Sequence, residues 1–184
     1  MLAIYTFNHP VLRKKARTVK HTTADLLRTA DNMLETMHKA NGIGLAANQV
    51  GLLQRLIVVD MTGSDGVEKF EPLALFNPVV VEEEGKWTME EGCLSLPELR
   101  DDIQRAERIR VKYRDRNFDE REIDATGMLS RVILHEVDHL NGVLFVDHLS
   151  LLKRKLHRGR LNKIDRGELE VDYDVVPNQP KIIG

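Results

Sequence analysis

The sequence predicts an α+β fold in which antiparallel sheets pack around one central helix, with further helices near the N- and C-terminal ends of the chain. Three observations carry that expectation. Arg108, Arg110, Lys112 and Arg114 alternate with Ile109, Val111 and Tyr113, the two-residue period of a strand with one wet face. Most strand candidates are joined by short turns and not by crossover helices, which favours antiparallel pairing. From Met128 to Leu140 the apolar residues fall on two stripes of a helix, so that helix is expected to be buried.

Taken in order, residues 1–20 read as extended, with a turn at His9-Pro10 and a basic run at Arg13, Lys14, Lys15 and Arg17 that suits a solvated face. Thr22 or Thr23 can cap a helix whose apolar positions are Leu26, Ala30, Met33, Leu34 and Met37. Asn41-Gly42 ends it. The stretch Gly42 to Gln49 fits neither nucleotide-binding fingerprint. By itself it reads as a tight helix-to-strand connection, although its small residues would also let another backbone approach closely. Arg55 to Met61 is a buried strand, Gly63-Ser64-Asp65-Gly66 a turn, and Leu73–Phe76 and Val79–Glu84 are two strands separated by Asn77-Pro78. Asp119–Ala125 follows the turn at 115–118, Thr126-Gly127 introduces the buried helix, and Asn141-Gly142 stops it. A last helix runs from about Ser150 to Lys163.

Composition sets bounds on function. With 184 residues, 42% hydrophobic and 30% charged, the chain suits one soluble domain; residues 1–168 are expected to form it, with 169–184 a tail or short strand. A net charge of −2 gives no overall basic field for DNA. No apolar run approaches a membrane span, and the first residues lack the basic-then-apolar layout of a secretory signal. Cys93 is the one cysteine, so no internal disulfide can form, and a reducing cytoplasm is the expected setting.

Chemistry concentrates in His135-Glu136-Val137-Asp138-His139. On a helix the two imidazoles lie one turn apart and can share a metal ion, with Glu136 beside them to accept a proton from water. Met128 and Val132 continue that arc as an apolar wall, while Leu129, Ile133, Val137 and Leu140 form a second stripe. Alone, the motif fits ordinary polar groups on a partly exposed helix equally well, and it lacks a third ligand. Cys93, in Glu91-Gly92-Cys93-Leu94-Ser95, can be an inert core residue, a nucleophile or that ligand; its thiolate would complete a set suited to a borderline or soft divalent ion.

Together, residues 42–49, 91–95 and 135–139 resemble, in order, the three signature motifs of the peptide deformylases: Gly-apolar-Gly-apolar-Ala-Ala-x-Gln, Glu-Gly-Cys-Leu-Ser and His-Glu-apolar-Asp-His. The resemblance extends from about Leu2 to Leu149, through the early Pro-x-Leu-Arg segment and Gln54 to Asp60. It implies that Cys93, His135 and His139 hold one divalent metal ion and that Glu136 is the general base and acid. Gln49 and the Leu94 amide would donate to the formyl oxygen. Ile43, Gly44, Met89, Glu91, Met128 and Val132 would border a pocket for the methionine side chain, with Leu45, Gly92 and Arg100 as further substrate contacts. Members of the family remove formyl from N-formylmethionine on new polypeptides, releasing formate; they generally use Fe2+ in the cell, and Zn2+, Ni2+ or Co2+ can occupy the site. The chemistry agrees, since a metal lowers the pKa of its water from about 15.7 towards roughly 7 and makes hydroxide available. A nascent chain could lie as an added strand against 43–47.

Other positions are read more generally. Asp138 is expected to orient structure, with Arg131 or Arg105 as its partner, while Arg131 and Leu134 are taken as positions at the pocket rim. Lys153, Arg154, Lys155, Arg158, Arg160 and Lys163 make the last helix basic, which by itself suits a solvated face; the resemblance implies action near the ribosomal exit tunnel, where such a helix could equally meet RNA phosphates. A zinc endopeptidase of the H-E-x-x-H type is the alternative enzyme; its third ligand would lie downstream, where His148 is the first histidine. A silent peptide- or ribosome-binding relative should have lost a ligand, the Glu or the Gln, and none is missing.

Overall fold

Residues 1–64 and 67–179 are described by the computed structural model. A short strand β1 (Ile4–Tyr5) precedes helix α1 (Ala24–Lys39). Thr23 caps α1, its hydroxyl accepting from the Leu26 amide at 3.1 Å and pairing one of the first-turn N–H groups a helix leaves open. Leu26, Ala30, Met33 and Met37 are buried, and Leu34 packs at the margin of the same cluster. The helix stops where Asn41 takes φ 54° and the Gly42 amide returns to the Met37 carbonyl at 2.9 Å.

Seven strands follow: β2 (Gly44–Ala46), β3 (Leu56–Val59), β4 (Leu73–Glu84), β5 (Trp87–Cys93), β6 (Leu96–Arg105), β7 (Arg108–Arg114) and β8 (Glu120–Thr126). Helix α2 (Gly127–Leu140), helix α3 (Leu151–Asp165) and strand β9 (Val175–Val176) complete the order. Among the described residues, β2-β3-β4-β7-β8 form one antiparallel sheet in that order, β5 and β6 an antiparallel hairpin, and β1 and β9 a parallel pair.

The main sheet lies between two helices. In β3, Leu56 and Val58 join the cluster around α1, whereas Ile57 and Val59 join the cluster around α2. A strand covered on both faces must be apolar at every position, and all four residues are fully buried. In β7 only Ile109 and Val111 are buried, as the alternation requires. A third cluster joins β6, the 144–149 segment and α3.

One expectation changes. Residues 73–76 and 79–84 are one strand, β4, and not two. Asn77 adopts φ 52° at a shift of register against β7, and its side-chain amide pairs with both backbone groups of Val19 at 2.8 Å. Asn tolerates that backbone and Pro78 needs no ladder donor at a bulge, so the pair bends the strand without ending it. β5 and β6 alternate in burial, but Glu91 and Arg105 take inward positions and Pro97 lies inside β6, which hides the period in the sequence. The stretch after Gly167 is tied in by β9 against β1. In the 63–66 turn, Asp65 and Gly66 lie outside the described residues, as does the end of the tail from 180 to 184.

Candidate metal centre

Helix α2 delivers two of the three ligand candidates. His135 and His139 are 8% and 1% exposed, with ring centroids 5.0 Å apart. The third, Cys93, ends β5 where the hairpin turns through Leu94 and Ser95 to Leu96. One ligand atom from each of Cys93, His135 and His139 lies within 4.8 Å of the others, and Cys93 Sγ is 3.2 Å from His139 Nε2. A thiolate and two imidazoles at that separation fit a single tetrahedral ion with one open position.

The supporting shell explains the geometry. Glu91 Oε2 sits 3.0 Å from His135 Nδ1, fixing the ring so that Nε2 faces the site. The Glu91 carboxylate also accepts from Arg105 at 2.6 and 3.0 Å and from Arg131 at 2.5 Å. Burial alone would raise its pKa, but the bonds from His135 and Arg105 outweigh that and hold it at about 2. Arg131 borders the cavity but is 3% exposed, and it donates to the carbonyls of Trp87 at 2.6 Å and Ile103 at 3.0 Å. Asp138 takes Arg105 at 2.8 Å and His148 at 2.7 Å, so of its two expected partners Arg105 is the one it meets.

Glu136 is 4% exposed, and its Oε2 has no hydrogen-bond partner among the described residues. Burial pushes its carboxyl up to about 7, with the charges of His135 and Arg105 pulling the other way. Its Oε1 lies against Gly44, where an added Cβ would stand 2.6 Å from that oxygen and 2.7 Å from Val132 Cγ1. A side chain at 44 would therefore have to displace the carboxylate beside it.

Gln49 lies in a single 3-10 turn, Ala47–Val50, that follows β2. Its Oε1 accepts from the Ala46 amide at 2.8 Å, which aims Nε2 at Ser95 Oγ (3.2 Å) and Cys93 Sγ (3.7 Å). Neighbouring Asn48 donates to the carbonyl of His139, joining this turn to the end of α2.

A cavity of about 620 Å³ opens over the cluster. Ile43, Gly44, Met89, Glu91, Gly92, Met128, Val132 and Arg100 all line it, together with Gln49, Leu94 and Glu136. Leu45 does not: it is fully buried in the α1 cluster, because successive residues of a strand face opposite sides. Arg100 is exposed and 3.7 Å from Glu90. Sequence reasoning missed Arg105 and Arg131 as partners of Glu91, and it missed Glu170 to Tyr173, which form part of the cavity wall.

A family model for polypeptide deformylase matches residues 1–155. The chain belongs to that family. It is 48% identical to the peptide deformylase of Salinibacter ruber over 191 aligned residues, covering all of this chain and 98% of that protein. It is 49% identical to the peptide deformylase of Thermodesulfovibrio yellowstonii over 158 residues, covering 86% and 94%. The crystal structure of a peptide deformylase from Legionella pneumophila superposes with a TM-score of 0.84 at 40% identity, covering 91% of this chain and 97% of that one. The endopeptidase alternative loses its anchor: His148, its downstream ligand, is paired with Asp138 and stands outside the cluster of Cys93, His135 and His139.

Proposed function

We propose how the residues of this chain carry out the activity of its family, whose members are metal-dependent hydrolases that remove the N-formyl group from nascent peptides and release formate. One observation carries the reading: the sulfur of Cys93 and the imidazole nitrogens of His135 and His139 converge, with the partnerless carboxylate oxygen of Glu136 close by. Cys93, His135 and His139 would hold a divalent ion, which when bound would supply Lewis acidity toward water and the formyl carbonyl. The thiolate suits a borderline ion; Fe2+ is the proposed native one, with Zn2+, Ni2+ or Co2+ as substitutes.

Glu136 takes the proton of the attacking water and returns it to the amine as the amide C–N bond breaks. Gln49 Nε2 and the Leu94 amide donate to the formyl oxygen as it gains charge; loss of one such donor typically costs about 2.7–4 kcal/mol. Met89, Met128, Ile43 and Val132 provide an adaptable apolar pocket for an unbranched thioether. Among the described residues β2 is paired on one side only, with β3, and its residue Gly44 borders the cavity. A peptide backbone added along that free edge would be read mainly by its main chain, which lets one enzyme serve many sequences.

The cytoplasm is the proposed location, since nascent formylated chains arise there and a lone thiol ligand needs a reducing setting. No helix among the described residues is long and apolar enough to cross a membrane. On α3, Lys153 and Arg160 are paired with Asp101 and Glu98, while Arg154 donates to backbone carbonyls. Lys155, Arg158 and Lys163 have no partner among the described residues, and these three are the proposed ribosome contacts. Reversing their charge should abolish co-sedimentation with ribosomes and leave peptide turnover unchanged; intact co-sedimentation would discard the contact.

The deciding assay offers formyl-Met peptides, acetyl-Met counterparts and unformylated peptides to anaerobically purified protein. Formate release from the first alone is expected. Internal cleavage of the third would restore the endopeptidase reading.

A further inference from the structure

The turn that joins β5 to β6 holds much of the site in few residues: Cys93 enters it, and Leu94 and Ser95 are its tip. Loops are the most mobile parts of a fold, yet these groups must hold position within a fraction of an ångström. Both carbonyls of the tip are tied from outside the hairpin. The Phe7 amide donates to the Ser95 carbonyl at 3.0 Å. The Tyr173 hydroxyl donates to the Leu94 carbonyl at 2.8 Å, and its ring packs with Leu94 on the α1 cluster.

These two ties come from opposite ends of the chain, and the ends are joined to each other. Ile4 and Tyr5 pair in parallel with Val175 and Val176, with amide-to-carbonyl bonds from Ile4 to Asp174 at 2.8 Å and from Thr6 to Val176 at 3.1 Å. The tail is fastened again where the Gln179 amide meets the Asp165 carbonyl at 2.9 Å and Asn178 donates to the Asp165 side chain at 3.0 Å. The stretch that carries Tyr173 lies beyond residues 1–155, the part that defines the family match.

We propose that Tyr173 is a positioning residue for deformylation: with Phe7, and through the β1–β9 pair, it clamps the Cys93–Ser95 turn so that thiolate and Leu94 amide face the site together. This rests on the assignment of Leu94 as a donor to the formyl oxygen. The clamp fixes the backbone angles of Leu94 from its carbonyl side, which sets where its amide points. A loosened donor costs less than a deleted one, so the expected loss lies below the roughly 100-fold that removal of such a donor produces.

Tyr173→Phe keeps the ring and the cavity wall and removes only the hydroxyl. We expect kcat for a formyl-Met-Ala peptide to fall roughly three- to tenfold with KM within about twofold, metal content unchanged and the melting midpoint held within a few degrees. Hydrogen exchange at the Leu94 and Ser95 amides, measured on the same samples, should accelerate. Unchanged kcat, unchanged exchange, or a loss of kcat that tracks loss of metal or of fold would each overturn the proposal. If wild-type protein releases no formate, the underlying assignment falls and the proposal with it; if wild type is active and the variant equals it, the proposal alone falls.

Discussion

Helix α2 and the β5–β6 turn face each other across one metal centre, but they are held in place by different means. His135, Glu136 and His139 lie within five consecutive residues of a helix, whose own hydrogen bonds set their spacing. The turn has no such internal frame. Its geometry comes from Gln49, 46 residues before Ser95, from Tyr173, 79 residues after Leu94, and from Phe7 near the start of the chain. The helix is a local solution and the turn a global one. Damage to the helix face should therefore remove chemistry outright, and damage to the turn's ties should degrade it by degrees.

The largest effect tests the helix side. Glu136→Ala should keep the metal and lower formate release by about 10²–10⁴, the usual contribution of a general acid–base group. Metal analysis and single-turnover assays check both halves, and near-normal turnover at full occupancy would remove Glu136 from its role.

Glu91 comes next, because it links the two sides. Glu91→Gln leaves the buried guanidinium groups of Arg105 and Arg131 without their shared anion and removes one of the two oxygens that serve them and His135. Breaking a buried pair typically costs about 3–5 kcal/mol, and loss of a ligand's orienting partner about 10–100-fold in metal affinity. Calorimetry and competition with a chelator should show both losses together.

Gly44→Ala should be milder for stability and harmful to rate. The new Cβ would meet Glu136 Oε1, so the carboxylate must move and kcat should fall by roughly tenfold or more. A fully active variant would show that the carboxylate has slack.

The smallest effect concerns the middle of the hairpin, where Asp101 lies opposite Glu91 and accepts from Lys153 and from His157, the latter at 2.7 Å. Burial alone would raise the Asp101 carboxyl, but these bonds outweigh it and hold it below its ordinary value. A depressed carboxylate stabilises the fold above its unfolded pKa, and that contribution is lost as pH falls through the folded value. The stability gap between wild type and Asp101→Asn should thus be present at neutral pH and close below about pH 4.

The same contrast explains what the sequence makes legible. α2, β7 and β8 declare themselves because their periods are local, and the ligand helix is written in five letters. Asn77-Pro78 looks like a break because a bulge needs the same residues as a turn; only the bonds to Val19 distinguish them. Leu45 looks like a pocket residue by adjacency to Gly44, yet the strand's alternation sends it to the other face. Arg131 reads as a partner for Asp138 one heptad on, because its actual partners, Glu91 and the carbonyls of β5 and β6, are brought to it only by folding. Tyr173 carries no local signal at all, since its role depends on the pairing of the two chain ends.

Metal analysis with X-ray absorption on anaerobically purified protein is the most direct test of the centre. One ion per chain, bound by one sulfur and two imidazole nitrogens and lost on Cys93→Ala, is the expected result. A stoichiometric ion with no sulfur in its coordination, or one retained unchanged in Cys93→Ala, would contradict the convergence of Cys93, His135 and His139 on a single cation.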